Sequence, residues 1–407
     1  MTSQAKLAKI YVMNIKRNSM RTVVLFANLL FSFLGAITIY TNSSYIENTL
    51  GIAVVGALYA ASALASILVL SRAGTMLSHI GNRRFFFLFG ALYTLSLVAI
   101  VAPIGPIPHA IAIFTYLLCT NVLIFSLNIF FEHLFAKKNR GTMRGTFLLL
   151  GNLGVLMGPV VAAWAIDIAG YTGMYALSLA LFILLAVFIH FGTESYRDAN
   201  YDFGRIIPAL KHTLEKRSLR NVITANFVLQ FFYAWMVIYT PIYLSQKLGF
   251  SWDEIGIIFF VMLLAFVVLD YPLGKIADYL GSEKELAVIG FLIMATSVGT
   301  LALVQAPSFA TVTLILLFSR IGAATVEAMT EIHFFKVAKD SDPGLLALFS
   351  DIRPLAYVLA PLIGALAIAL LPFQMSFVVL SAILMVGFVA SFYLEDTSQW
   401  WVRAHKN

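Results

Sequence analysis

Apolar residues in this chain run almost unbroken for about twenty positions at a time and then stop at clusters of charge or at Pro and Gly. At 1.5 Å per residue, ~20 residues match the thickness of a bilayer's hydrocarbon core. A helix apolar on every side, rather than along one stripe, belongs in a core or a membrane. Reading the runs between breaks predicts twelve spans. In the first half they are 22–41, 52–71, 85–104, 109–134, 145–168 and 172–192; in the second, 221–244, 253–273, 286–305, 309–336, 345–371 and 374–394. Connections as short as 103–108 and 305–308 fold neighbouring spans into antiparallel hairpins.

Composition agrees. Of 407 residues, 60% are hydrophobic and 12% charged, with mean hydropathy +0.90. Ordinary soluble domains are roughly 45–50% apolar and ~25% charged, so there is too little polar surface here to coat a globule. The 34 Phe and 17 Tyr exclude a disordered chain. With one cysteine, Cys119, neither a disulfide framework nor a cysteine metal site can form. His79, His109 and His190 are scattered near span ends, so no metal or cofactor is expected.

The net charge of +7 could indicate nucleic acid, but placement decides otherwise. All but three of the 27 Lys and Arg residues fall in segments that share one side when the N-terminus is inside; the exceptions are Lys247, Arg320 and Arg353. That asymmetry is the positive-inside rule, and it predicts two cytoplasmic termini in a plasma or inner membrane. The basic balance therefore records topology and attraction to anionic lipid, with no nucleic-acid partner. The first apolar stretch, 22–41, is too long for a signal-peptide core and reads as a retained helix.

The two halves resemble each other. Gly56, Gly74, Ser78 and Gly81 fall on Gly256, Gly274, Asp278 and Gly281 at an offset of 200 without a gap. Tyr45, Leu50 and Gly51 match Tyr243, Leu248 and Gly249 at 198, and Ala27-Asn28 matches Ala225-Asn226. Asn121, Asn128 and Glu132 fall on Arg320, Glu327 and Glu331 at 199. This predicts a cytoplasmic N-terminus (1–21), a six-helix bundle (22–192), a cytoplasmic linker (193–220), a second six-helix bundle (221–395) and a tail (396–407). Two parallel six-helix repeats are a known secondary-transporter plan, with the substrate site near mid-membrane where the halves meet.

The loop after the second span reads Gly74-Thr-Met-Leu-Ser78-His-Ile-Gly81-Asn-Arg83-Arg84, and its twin reads Gly274-Lys-Ile-Ala-Asp278-Tyr-Leu-Gly281-Ser-Glu-Lys284. Both resemble the Gly-x-Leu-x-Asp-Arg-x-Gly-Arg-Lys signature of the major facilitator superfamily. Glycines permit a tight turn and close helix approach, the acid can accept from helix N-terminal amides, and the bases face anionic lipid. Ser78 replaces the acid in the first copy, which weakens any charge latch there. The fifth span carries Gly145, Gly154, Gly158 and Pro159, similar to the superfamily's antiporter-associated motif, with Ala360-Pro361 and Gly364 at the matching place in the eleventh. Arg140-Gly141 and Gly170-Tyr171 are further landmarks. The resemblance implies an all-α membrane protein of twelve helices in two bundles related by a pseudo-twofold axis, acting as a monomer.

Ionisable groups within spans are costly and are functional candidates by default. In the tenth span Arg320, Glu327 and Glu331 are spaced by seven and four and share one face. Arg320 lies ~16 Å in from residue 309, near the midplane. Arg320 and Glu327, with Asn121 and Asn128 of the fourth span, are the candidate substrate or proton-coupling residues. Glu132, Glu331, Asp351 and Arg353 are the candidate inner gate. Burial favours a neutral glutamic acid and an approaching guanidinium favours the carboxylate, a cycle that can couple protons to movement. Asn28, Tyr40, Asn226, Gln230, Tyr233 and Trp235 are candidate cavity lining. One departure stands out: drug exporters of the superfamily carry an Arg-x-x-Gln-Gly pattern in the fourth helix, whereas this chain has Asn121 at that level and no arginine from 109 to 134.

The function expected is a secondary transporter moving a small solute by rocker-switch alternating access, with proton-coupled export ahead of uptake or facilitated passage of a sugar or organic anion. The expected partners are the bilayer, the solute and, as candidate coupling ion, protons. A scaffold or receptor is a third class, but gives no reason for Arg320. No His-Glu-x-x-His, Gly-x-Ser-x-Gly or Gly-x4-Gly-Lys-Ser/Thr pattern is present, so no enzymatic chemistry is expected.

Overall fold

The computed structural model describes residues 3–102, 105–134, 140–194, 196, 198, 213, 215–280, 283–304, 308–337 and 343–395. Within those, the side chains of 3–18, 140–142, 144–145, 270–271, 274, 277–280, 343–348 and 350–351 lie outside the description. All regular structure among the described residues is helical. Eleven stretches of the described residues are long and apolar enough to cross a membrane, and one of them, Thr146–Gly192, is 47 residues long, far more than one crossing needs. Its helix is broken by Ala169 (φ −141°, ψ 19°) and Gly170 (φ 63°, ψ −169°). That break divides it into the fifth and sixth spans where the sequence places them, giving twelve.

The repeat extends to backbone conformation. Gly51 (φ 90°) and Gly249 (φ 71°) both take a left-handed turn ahead of the second and eighth spans. A side chain would be strained at either position.

Two compact units divide the chain: 1–39 with 65–202, and 40–64 with 203–407. In the first unit, Ser3–Ile39 packs against the fifth span along a stripe of small residues. A Cβ on Gly154 would stand 2.6 Å from the Leu29 carbonyl oxygen, and one on Gly158 would meet the backbone of Ala36. The fifth-span glycine motif therefore lets two helix backbones touch. Asn28 fastens the same contact by donating from Nδ2 to the Phe147 carbonyl (2.7 Å). The unit's core is aromatic, with Tyr93 between Phe182 (4.5 Å between centroids) and Tyr116 (5.2 Å). Tyr116 shares a hydrogen bond with Thr38.

In the second unit the eleventh span, within Pro343–Leu370, packs on the seventh, Arg217–Ile242, in the corresponding way. A Cβ on Gly364 would run into the Tyr239 ring, and the Tyr239 hydroxyl donates to the Pro361 carbonyl (2.5 Å). Gly56 joins this crossing: its Cβ position lies 2.7 Å from the Pro361 oxygen and 3.1 Å from the Tyr239 hydroxyl. The ninth span, Glu283–Leu303, meets the tenth, Phe309–Val337, through Gly290 and Gly322, each facing the other's carbonyl.

At the lower end of this unit Glu283 pairs with Lys336, and buried His333 lies 3.3 Å from the Ser218 hydroxyl. Glu283 is 2% exposed and Lys336 28%. Removing one partner of a buried pair takes the nearest counter-charge from the other, and the more buried charge suffers more. Lys336→Met should therefore cost roughly 1–3 kcal/mol and Glu283→Gln clearly less, measured by thermal unfolding of the purified variants. Equal losses would contradict this asymmetry.

Candidate functional site

Residues two apart on a helix point in nearly opposite directions, so with Gly322 against the ninth span Arg320 is turned toward the seventh. There its guanidinium lies 5.0 Å from the Phe232 ring centroid and 5.7 Å from that of Tyr233. Arg320 is 2% exposed. The Tyr233 hydroxyl donates to Glu327 Oε2 at 2.8 Å. Tyr233 thus bridges the two charges of the tenth span, its ring on the arginine and its hydroxyl on the carboxylate. The sequence places Arg320 and Glu327 on one face, but Tyr233 enters there only as lining; nothing in the pattern marks it as the link.

Gln230 and Asn226, one and two turns before Tyr233, are 3.5 Å apart through Nε2 and Oδ1. Trp235 is fully buried between Phe231 (5.8 Å) and Tyr239 (5.4 Å). Tyr40 is buried against Phe259 (4.8 Å) within electrostatic reach of Arg320 and Arg353. Arg353 is exposed and sits 5.7 Å from the Tyr357 ring, and Glu331 is also exposed. Asp351 is helical, with its side chain outside the described ones.

The fourth-span candidates belong to the first unit. Asn121 Nδ2 donates to the Ser66 hydroxyl (3.2 Å) and to its own helix at Leu117 (3.3 Å), tying the second and fourth spans together. Asn128 Nδ2 donates to Ile124 (3.0 Å), and Glu132 is exposed.

In the first loop motif, Gly74 and Ser78 lie in the short helix Ala73–Ile80 and Gly81 caps its end. Ser78 donates to Thr75 (2.8 Å), within its own helix. Arg83 Nη2 donates to the His190 carbonyl (3.0 Å), its guanidinium lies over Phe87, and Arg84 is exposed. Asp198, not singled out from the sequence, occupies the space a Cβ on Gly81 would need and accepts from the Asn82 amide at 2.6 Å, capping the third span. A cavity of about 700 Å³ opens among Ser78, His79, Arg83, Arg84, Tyr196 and Asp198. In the second motif Gly274 and Asp278 are helical with surroundings outside the description, as is Gly145 of the fifth span; Gly281 lies outside the described residues. Lys284 lies 5.2 Å from the Phe392 ring. Among the described residues no group of three or more His, Cys, Asp and Glu could hold a metal ion.

Comparison with known proteins fits this architecture. The sequence model of the Major Facilitator Superfamily matches residues 24–332 and, in a second match, 222–406. No curated protein matches by sequence. Among solved structures, the chain is similar to a bacterial homologue of the human lysosomal transporter Spinster, crystallised inward-facing and unoccupied. The TM-score is 0.76 at 12% identity, covering 94% of this chain and 98% of that one. It is also similar to the nucleoside transporter NupG, with TM-score 0.70 at 13% identity, covering 92% of this chain and 100% of the other. At those identities the likeness concerns the fold alone. The family match, the apolar helices and the shared fold agree: the chain belongs to the Major Facilitator Superfamily and is a multi-pass membrane transporter.

Proposed function

We propose that this chain is a proton-coupled exporter of a small organic solute, working as a monomer in the plasma or inner membrane with both termini in the cytoplasm. The observation that carries the reading is the Arg320–Tyr233–Glu327 array inside a bilayer-spanning bundle. A carboxylate within a span is costly and is a functional candidate by default, and a change of state during the cycle is the role that suits it here. Glu327 takes up and releases the proton, and Tyr233 conveys that change to Arg320, which contacts the solute. Glu132, Glu331, Asp351 and Arg353 form ion pairs that make and break at the inner end as the halves rock. Export is favoured by the fifth-span glycine motif.

The test is a solute panel assayed in proteoliposomes with and without an imposed pH gradient. At least one solute should accumulate severalfold only when the gradient is present. Uptake insensitive to the gradient for every transported solute would refute proton coupling, and flux favoured in the opposite direction would refute export.

A further inference from the structure

Arg320 has donors that no described residue satisfies. Its Nε and Nη2 atoms are buried with no hydrogen-bond partner, although buried polar groups are nearly always bonded and a buried charge is almost always paired. The two atoms share one edge of the planar guanidinium, where their N–H bonds run parallel. That edge is the fork that takes both oxygens of a carboxylate side-on. Phe232 and Tyr233 lie against the group and favour the cation through their ring faces, but a ring is no substitute for a carboxylate's two oxygens.

The array's own carboxylate does not fill the fork. Glu327 lies seven residues on, about 10 Å along the helix, and its Oε2 accepts from Tyr233. Arg353 adds a second guanidinium near Tyr357. Among the described side chains of this array, positive charge therefore exceeds negative. The neighbouring side chains are rings: Phe232 is fully buried, Phe266 lies 6.0 Å from Tyr233, and Phe259 lies 4.8 Å from Tyr40. A tetrahedral oxyanion such as phosphate is best held by donors on several sides, whereas a single two-donor edge beside aromatic walls suits a planar oxyanion with an apolar body.

We propose that the Nε–Nη2 edge of Arg320 is the docking point of the transported solute, and that this solute is an organic carboxylate with an aromatic or aliphatic body. The inference rests on the transport role given above to the same array. It explains why a cation is kept in the interior with no partner among the described residues: the solute is the partner, and its arrival neutralises the site before the halves rock.

The test is equilibrium binding, which needs no gradient. The full-length chain in non-ionic detergent is heated with benzoate, phenylacetate, hexanoate, benzamide, benzylamine or phenylphosphonate. Benzoate and at least one other carboxylate should raise the unfolding midpoint with increasing concentration, while benzamide and benzylamine, with similar rings and no anionic oxygen, should not. In Arg320→Gln the midpoint without ligand should equal or exceed that of the wild type, because an unpaired interior charge is gone. Its benzoate affinity should fall at least about tenfold, as expected for loss of a charge-assisted bidentate contact. Arg320→Lys, which keeps the charge but not the fork, should fall between. The proposal is overturned if no carboxylate moves the midpoint, if benzamide acts like benzoate, if phenylphosphonate binds more tightly than benzoate, or if Arg320→Gln binds benzoate unchanged. Carboxylate binding without gradient-driven flux would refute the proton-coupled reading alone, and gradient-driven flux without carboxylate preference would refute the carboxylate site alone.

Discussion

Gly158→Leu should yield no folded protein. The Cβ alone would press on Ala36 at its Cβ, its carbonyl carbon (2.6 Å) and its Cα (2.9 Å), and backbone cannot swing aside as a flexible side chain can. Two helices held at that distance by a glycine stripe must separate to admit a leucine, and Asn28 then loses its bond to Phe147. Overpacking a close-packed interior by a methyl group or two costs about 1–3 kcal/mol, and a leucine against backbone should exceed that and the stability margin of an ordinary domain. Gly158→Ala should fold with a clearly lowered unfolding midpoint. Gly35→Ala is the control: it lies on the same first span, its Cβ position has nothing within 4 Å, and a helix gains about 0.5–1 kcal/mol from alanine over glycine. Size-exclusion profiles and thermal unfolding in detergent separate the three. A monodisperse Gly158→Leu with the wild-type midpoint would contradict the packing described here.

That motif marks what can and cannot be read from a linear chain. Glycines at 154 and 158 announce a thin helix face, but the partner helix, some 120 residues earlier, is a tertiary fact. The break between the fifth and sixth spans was legible because Gly170 punctuates an apolar run, and the paired turns at Gly51 and Gly249 were legible because they recur. Helical periodicity likewise places Arg320 and Glu327 on one face, since that spacing depends on one helix only. Tyr233 was not recognisable as their link: it is separated from Glu327 by 94 positions, and a tyrosine near a span centre looks the same whether it lines, packs or bridges. Asp198 was hidden for a related reason. It lies beyond the last residue of an apolar run, where pattern gives no information, and it acts on an amide 116 residues earlier. The pair formed by Glu283 and Lys336 looked like ordinary charge at span ends until folding buried one partner. The grouping of 40–64 with the second unit has no signature in composition, because apolar helices carry no address for their neighbours.

The proton-coupling role proposed for Glu327 makes the other large demand. A glutamine there keeps the shape and can still meet the Tyr233 hydroxyl, but it neither binds nor releases a proton. Solute should therefore bind and exchange, while work against a gradient is lost. A purely structural pair would behave differently: neutralising Glu327 would weaken binding, exchange and gradient-driven movement together. The decisive measurement compares Glu327→Gln with the wild type in the same proteoliposomes, recording both solute counterflow at equal pH and accumulation under an imposed pH gradient. Counterflow within about twofold of wild type, with gradient-driven accumulation reduced at least tenfold, is the expected result; full gradient-driven accumulation by Glu327→Gln would contradict it.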